Sequence, residues 1–246
     1  MNGRAVFLDA CASVRRNWTT VAVFIAVVSG CESLVRLLSL AFAGDSPLEE
    51  LPPLLRAVDL CARILLAAGY SAAQAIAFAR LGKDIDRPLW KCSGDYEALA
   101  RYFTPWFILN LFLTLLWTLR HVAAVHESIG GVQLLEFLSM VLCVLCVPTG
   151  ACIVYGGGLH WERLGQLLAP MVRQFPLAAV SMFFGLLGYT LFLLADAVIP
   201  GIAAMTVAPA LLTALLALLD CLAFAAMWRV CMIQRDAPPG EDFDFY

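Results

Sequence analysis

The sequence predicts an all-α polytopic membrane protein: a six-transmembrane-helix bundle with both termini in the cytoplasm. Three observations carry that reading. Hydrophobic residues make up 62% of the 246-residue chain and charged residues only 14%, roughly half the charged share of an ordinary soluble domain. A soluble fold of this size cannot hide that much apolar surface, so lipid must cover part of it. Six apolar segments each reach the roughly 20 residues that a helix needs to cross a bilayer. Finally, the 16 lysines and arginines are distributed unevenly. With an inside N-terminus, all but Arg36, Arg56, Arg63 and Arg120 fall in segments on the cytoplasmic side, where basic residues are retained.

The elements follow in order. Residues 1–17 contain "GRAVFLDACASVRRN" and read as a short helix along the membrane surface, with Val6, Phe7 and Cys11 facing lipid. The first span covers about 18–42. Within it, "VVSGCESLVRLL" presents Val28-Ser29-Gly30-Cys31, which matches the small-residue box of a lipoprotein cleavage site. The apolar pattern continues past Cys31 for a full span, so the stretch reads as the outer half of a membrane helix. The link "GDSPLEELPPL" is acidic and proline-rich. The second span, about 55–78, carries Arg56, Asp59 and Arg63 in its first third.

A long basic link, "RLGKDIDRPLWKCSGDYEALARYF", precedes the third span at about 104–125. The turn "HESIGG" leads to the fourth, about 132–155, which Pro148 interrupts. A proline removes a backbone hydrogen bond and is expected to kink the helix there. "GGGLHWERLGQLLAPMVRQFP" reads as an amphipathic interfacial piece with breaks at both ends. The fifth span covers about 176–199 and the sixth about 208–233, with the whole membrane domain at 18–233. An acidic, aromatic tail occupies 234–246. Trp18, Trp106, Trp161 and Trp228 all fall near the inner boundary, as an aromatic belt would place them.

Every span has one polar or small face at helical spacing. Glu32 and Arg36 share a face of the first, and Arg56, Asp59, Arg63, Tyr70 and Gln74 form a stripe along the second. Asn110, Thr114, Trp117 and His121 line the third, with Arg120 beside them. Gln133, Glu136 and Cys143 line the fourth. Ser181, Gly185, Tyr189 and Asp196 line the fifth, and Thr213 and Asp220 mark the sixth. Hydrocarbon offers such groups no partner, so the faces must turn towards one another. The expected result is an intramembrane polar seam of Glu32, Arg36, Asp59, Arg63, Arg120, Glu136, Asp196 and Asp220. Two readings of the seam stand: paired charges that set helix register, or a path for a solute or proton. The balance of acids and bases favours the first. Asp220 is the exception, because its own helix holds no partner and it must pair across helices or be neutralised.

Several chemistries find no support. Net charge is −3, so there is no basic footprint for nucleic acid. Cys143-x-x-Cys146 lies inside an apolar span without a second pair and reads as packing, not as a metal site. There is no nucleophile elbow, phosphate loop or dinucleotide fingerprint. No enzyme activity, cofactor or metal is expected. The leading expectation is an accessory or scaffold subunit that packs against other membrane proteins in the bilayer. The alternative is a transporter or channel for a small solute or lipid.

A set of stretches resembles a known family. "ASVRRNW" precedes the first span, and a basic loop follows the second. "CVPTGACIVYGGG" runs into "HWERLGQLLAPMVRQFPLAAV", and the last span ends in "AFAAMWRVCMIQR". Together these resemble the YciC-like proteins, related to the membrane domain found beside some glycerophosphodiester phosphodiesterases. The family more often has Pro-Gly where this chain has Pro148-Thr149. The resemblance implies a six-helix protein of the bacterial inner membrane and transfers no catalytic residue.

Overall fold

The computed structural model describes residues 2–43, 53–85, 94–125, 129–198 and 207–236. Eight α-helices account for almost all of them: α1 (Gly3–Arg16), α2 (Trp18–Ala43), α3 (Pro53–Ile85), α4 (Asp95–Val125), α5 (Ile129–Tyr155), α6 (Leu164–Arg173), α7 (Phe175–Val198) and α8 (Val207–Asp236). There is no strand among the described residues.

Five of these helices, α3, α4, α5, α7 and α8, are long and apolar enough to cross a bilayer. α2, taken together with α1, brings the number to as many as six. It has 26 residues, about 39 Å at 1.5 Å per residue, and meets α1 at an 80° bend. The long helices form a closed ring in the order α2, α3, α4, α5, α7, α8, and α8 returns to α2. α1 and α6 lie across one end of the ring, here the α1 end. The opposite end, where α4 meets α5, is the far end.

α1 starts at Asn2, whose side chain accepts a hydrogen bond from the Ala5 amide at 3.0 Å, an N-cap that satisfies an orphan donor. Its packing corrects the expected lipid-facing set. Val6 is buried together with Ala10, Ser13 and Val14, a face at helical spacing that docks on the bundle, mainly against α8. Phe7 is half-exposed yet stacks on Phe184 of α7. Asp9 accepts a hydrogen bond from Arg229 Nε at 3.1 Å. Protein, not lipid, takes the apolar face of α1.

α3 and α4 both run beyond the expected spans, α3 from Phe78 to Ile85 and α4 back from Thr104 to Asp95. Much of the basic link is therefore helical. The extensions still have faces to bury: Leu81, Ala98 and Tyr102 are in the core. A two-pronged Arg80–Asp95 pair joins the helices, with Arg80 Nε 2.8 Å from one carboxylate oxygen.

α5 continues through Pro148 to Tyr155 instead of breaking. Proline cannot donate to the Val144 carbonyl one turn back. At that carbonyl α7 brings in Gly185, where an added Cβ would sit 3.0 Å from Val144 Cα and 3.1 Å from its oxygen. The missing hydrogen bond and the missing side chain coincide, and the two backbones close on each other. The break comes later, at Gly157 and Gly158, whose φ angles of 91° and 133° are ones that glycine adopts without strain.

The α1 half of the ring is filled by aromatic rings. Phe78 stacks on Phe224 at 4.6 Å and meets Trp106 at 5.2 Å and Phe24 at 5.3 Å. Trp106 and Trp228 belong to this plug and not to an interfacial belt, because both are buried. Each ring lies over a glycine of a neighbouring helix, Trp106 on Gly150 and Trp228 on Gly82. Trp18 and Trp161 are exposed, as a belt requires.

Candidate functional site: a cavity at mid-depth

Above the aromatic plug the interior of the ring is not filled. A cavity of about 400 Å³ is lined by residues of all six long helices. That volume lies in the ordinary range for a small-molecule pocket, roughly 300–1,000 Å³.

Its floor is polar and sits halfway along the helices. Tyr70 lies near the middle of α3 and Asp220 near the middle of α8, and the Tyr70 hydroxyl donates to Asp220 Oδ2. Beside them, Asn110 of α4 donates from Nδ2 to Gln74 Oε1 at 2.7 Å and to Ser71 Oγ at 2.9 Å. Ser71 in turn donates to the Ala67 carbonyl at 2.6 Å. Asn110, Gln74 and Ser71 are all buried. In hydrocarbon these groups have only one another as partners, so the network ties α3 to α4 at mid-depth.

The walls are mostly apolar or aromatic, with Trp117, Phe184, Tyr189 and Phe192 prominent among them. Gly185 and Gly188 contribute to the wall on the α7 side. Towards the far end, Glu32 of α2 and Arg63 of α3 line the same cavity.

The remaining residues of the expected seam sort as follows. Arg120 of α4 and Glu136 of α5 form an ion pair across helices, with Nη2 at 2.8 Å and Nε at 3.0 Å from Oε1. They do not line the cavity. They stand behind Trp117, and Arg120 Cζ lies 4.8 Å from the centre of that ring. Tyr189 donates to the Glu136 backbone carbonyl at 3.1 Å, which ties α7 to α5 beside the pair. The side chains of Arg36, Asp59 and Asp196 lie outside the described residues, as does the acidic tail from residue 237. Cys143 and Cys146 both line the cavity wall as free thiols. Among the described residues no three His, Cys, Asp or Glu side chains converge as a metal site.

The partner of Asp220 and the Asn110–Gln74 pair were not specified by the sequence reading, although all four residues lay on the expected polar faces. A signal was present: Tyr70 and Asp220 are both near mid-helix, and α3 and α8 both run from the far end to the α1 end, so parallel neighbours bring them level.

The Arg120–Glu136 pair allows a direct check. Arg120→Met should lower stability in detergent by about 1–2 kcal/mol, less than a fully buried pair because Glu136 is 38% exposed. Adding Glu136→Leu should recover most of that loss. Equal stability of Arg120→Met and the parent chain in a thermal melt would show that the pair contributes nothing.

By length and composition, this is the bundle of a multipass membrane protein, and it encloses a cavity halfway along its helices. Comparison with protein-family models, with curated proteins and with solved structures finds no match for the chain.

Proposed function

We propose that this protein is a membrane carrier for a small solute, with the mid-depth cavity as its binding site. One observation carries the reading: all six long helices contribute to the cavity, and its floor holds Asp220 with a tyrosine as its only partner among the described residues. A carboxylate at that depth costs a few kcal/mol on insertion scales. Intramembrane ionisable groups that face a cavity commonly mark solute or ion pathways. An accessory subunit would need only the lipid-facing and packing surfaces. The exposed Leu65 and Leu134 are what any lipid-facing helix presents, so they do not single out a protein partner.

The same reading puts the α1 end on the cytoplasmic side of a bacterial inner membrane. Arg15, Arg16, Lys83 and Arg163 all sit at that end, in keeping with the retention of basic residues inside. The resemblance to the YciC-like proteins supports the same location.

A carrier exposes its site to each side in turn. Cys143 provides a native reporter, because it lines the cavity, whereas Cys152 is buried in the plug. A charged, membrane-impermeant methanethiosulfonate should modify Cys143 in both right-side-out and inverted vesicles, and faster than Cys152, as read by peptide mass. Modification from one face only, or from neither, would rule the carrier out.

A further inference from the structure

We infer that the cavity takes a lipophilic organic cation: a single positive charge on an aromatic or aliphatic body. The inference rests on the cavity being a binding site. Among the described residues three charged ones line it, Glu32, Arg63 and Asp220, two acids and one base.

The placement of these charges matters more than their number. Arg63 is seven residues from Tyr70 along α3, about 10 Å at 1.5 Å per residue. Glu32 is eight residues from Phe24, and the Phe24 ring packs on Tyr70 at 5.9 Å. Glu32 and Arg63 therefore stand at a similar level towards the far end, an acid and a base together. Asp220 is left as the unbalanced charge at the floor.

Asp220 receives one hydrogen bond, from a neutral phenol, on Oδ2. No cation reaches it among the described residues, and its other oxygen has no partner there. A positively charged ligand would supply what the protein does not.

The walls fit the rest of such a molecule. Trp117, Phe184, Tyr189 and Phe192 offer ring faces and edges, and ring faces attract cations within about 6 Å. Arg120 already occupies that kind of position over Trp117. An anion would meet the same rings and the carboxylate with the wrong sign. A strongly hydrated small cation would find few oxygens to replace its water.

Two ions of nearly the same shape and opposite charge provide the test: tetraphenylphosphonium and tetraphenylborate. Binding is measured by equilibrium dialysis against the purified full chain in nanodiscs, with empty nanodiscs subtracted. Quenching of Trp117, assigned by its loss in Trp117→Phe, gives a second readout. Tetraphenylphosphonium should bind saturably at one site per chain, and tetraphenylborate should not. Asp220→Asn should weaken the cation by about tenfold or more. Equal binding of the two ions, or full cation binding by a folded Asp220→Asn chain, overturns the inference while the cavity still stands as a binding site. No saturable binding of either ion overturns both. The comparison of the two probe ions needs no variant, so an Asp220→Asn chain that fails to fold leaves the test intact.

Discussion

Gly150→Ala should destabilise the bundle by about 1–3 kcal/mol or more, the range of overpacking in a close-packed core. Elsewhere in a helix the same change favours the folded state by up to about 1 kcal/mol, because alanine is the better helix former. Contact decides the sign here. A Cβ on Gly150 would lie 2.1 Å from Trp106 Cη2 and 2.4 Å from Cζ3. The ring has nowhere to go, since Trp106 is fully buried and already meets Phe78 at 5.2 Å. The control is Gly69→Ala on α3, where an added Cβ meets nothing within 4 Å. Thermal unfolding in one detergent should therefore separate the two variants, with Gly150→Ala lower than the parent and Gly69→Ala level or higher. Trp106→Leu in the Gly150→Ala background should recover part of the loss. A Gly150→Ala melt at or above the parent value would show that the aromatic plug is looser than the geometry implies.

That contact also shows where reading a sequence one helix at a time stops. The lengths and apolar runs of the long segments were legible, because a bilayer fixes how long a span must be. The polar faces were legible too, because period alone assigns a residue to a face. What one helix cannot reveal is its partner. Trp106 and Trp228 read as belt residues from their position near a span end, yet they are buried because Gly150 and Gly82 sit opposite on other helices. Val6 read as lipid-facing for the same reason, until α8 supplied a surface for it. Pro148 read as a kink from the chain alone, which does not show Gly185 arriving at the freed carbonyl.

The candidate site divides along the same line. Glu32, Arg63, Arg120, Glu136 and Asp220 were all identified as intramembrane charges that must face inwards. The local rule of acid and base four residues apart suggested neutralisation within a helix. The partners that rule names for Glu32 and Arg63 are Arg36 and Asp59, whose side chains lie outside the described residues; at Arg120 and Asp220 the pairing is between helices, to Glu136 and Tyr70. The cavity itself was not legible. It depends on a mismatch of volumes between the α1 half, which large rings fill, and the half beyond Asp220, and that mismatch exists only after six helices are placed.

Asn110→Leu is the second large effect, and its size tests what holds the floor of the cavity. Gln74 is 1% exposed, and its Oε1 accepts from Asn110 Nδ2. Leucine at 110 fills similar space but leaves that oxygen without a donor. Ser71 suffers less, because its hydroxyl still donates to the Ala67 carbonyl. An orphaned buried acceptor costs about 1–3 kcal/mol. Against that, hydrogen bonds between membrane helices average only about 0.6 kcal/mol, since the unfolded chain in the membrane also finds partners. The two figures describe different quantities: one is the penalty of leaving a group unpaired, the other the net worth of the pair. A double-mutant cycle separates them. Asn110→Leu alone should lower stability by more than 1 kcal/mol, on the orphan scale. Asn110→Leu with Gln74→Leu should fall within about 1 kcal/mol of the parent, because no polar group is then stranded. If the double variant is as unstable as the single, the network sets the position of α3 against α4. The cavity floor would then depend on that register and not merely on the satisfaction of buried polar atoms.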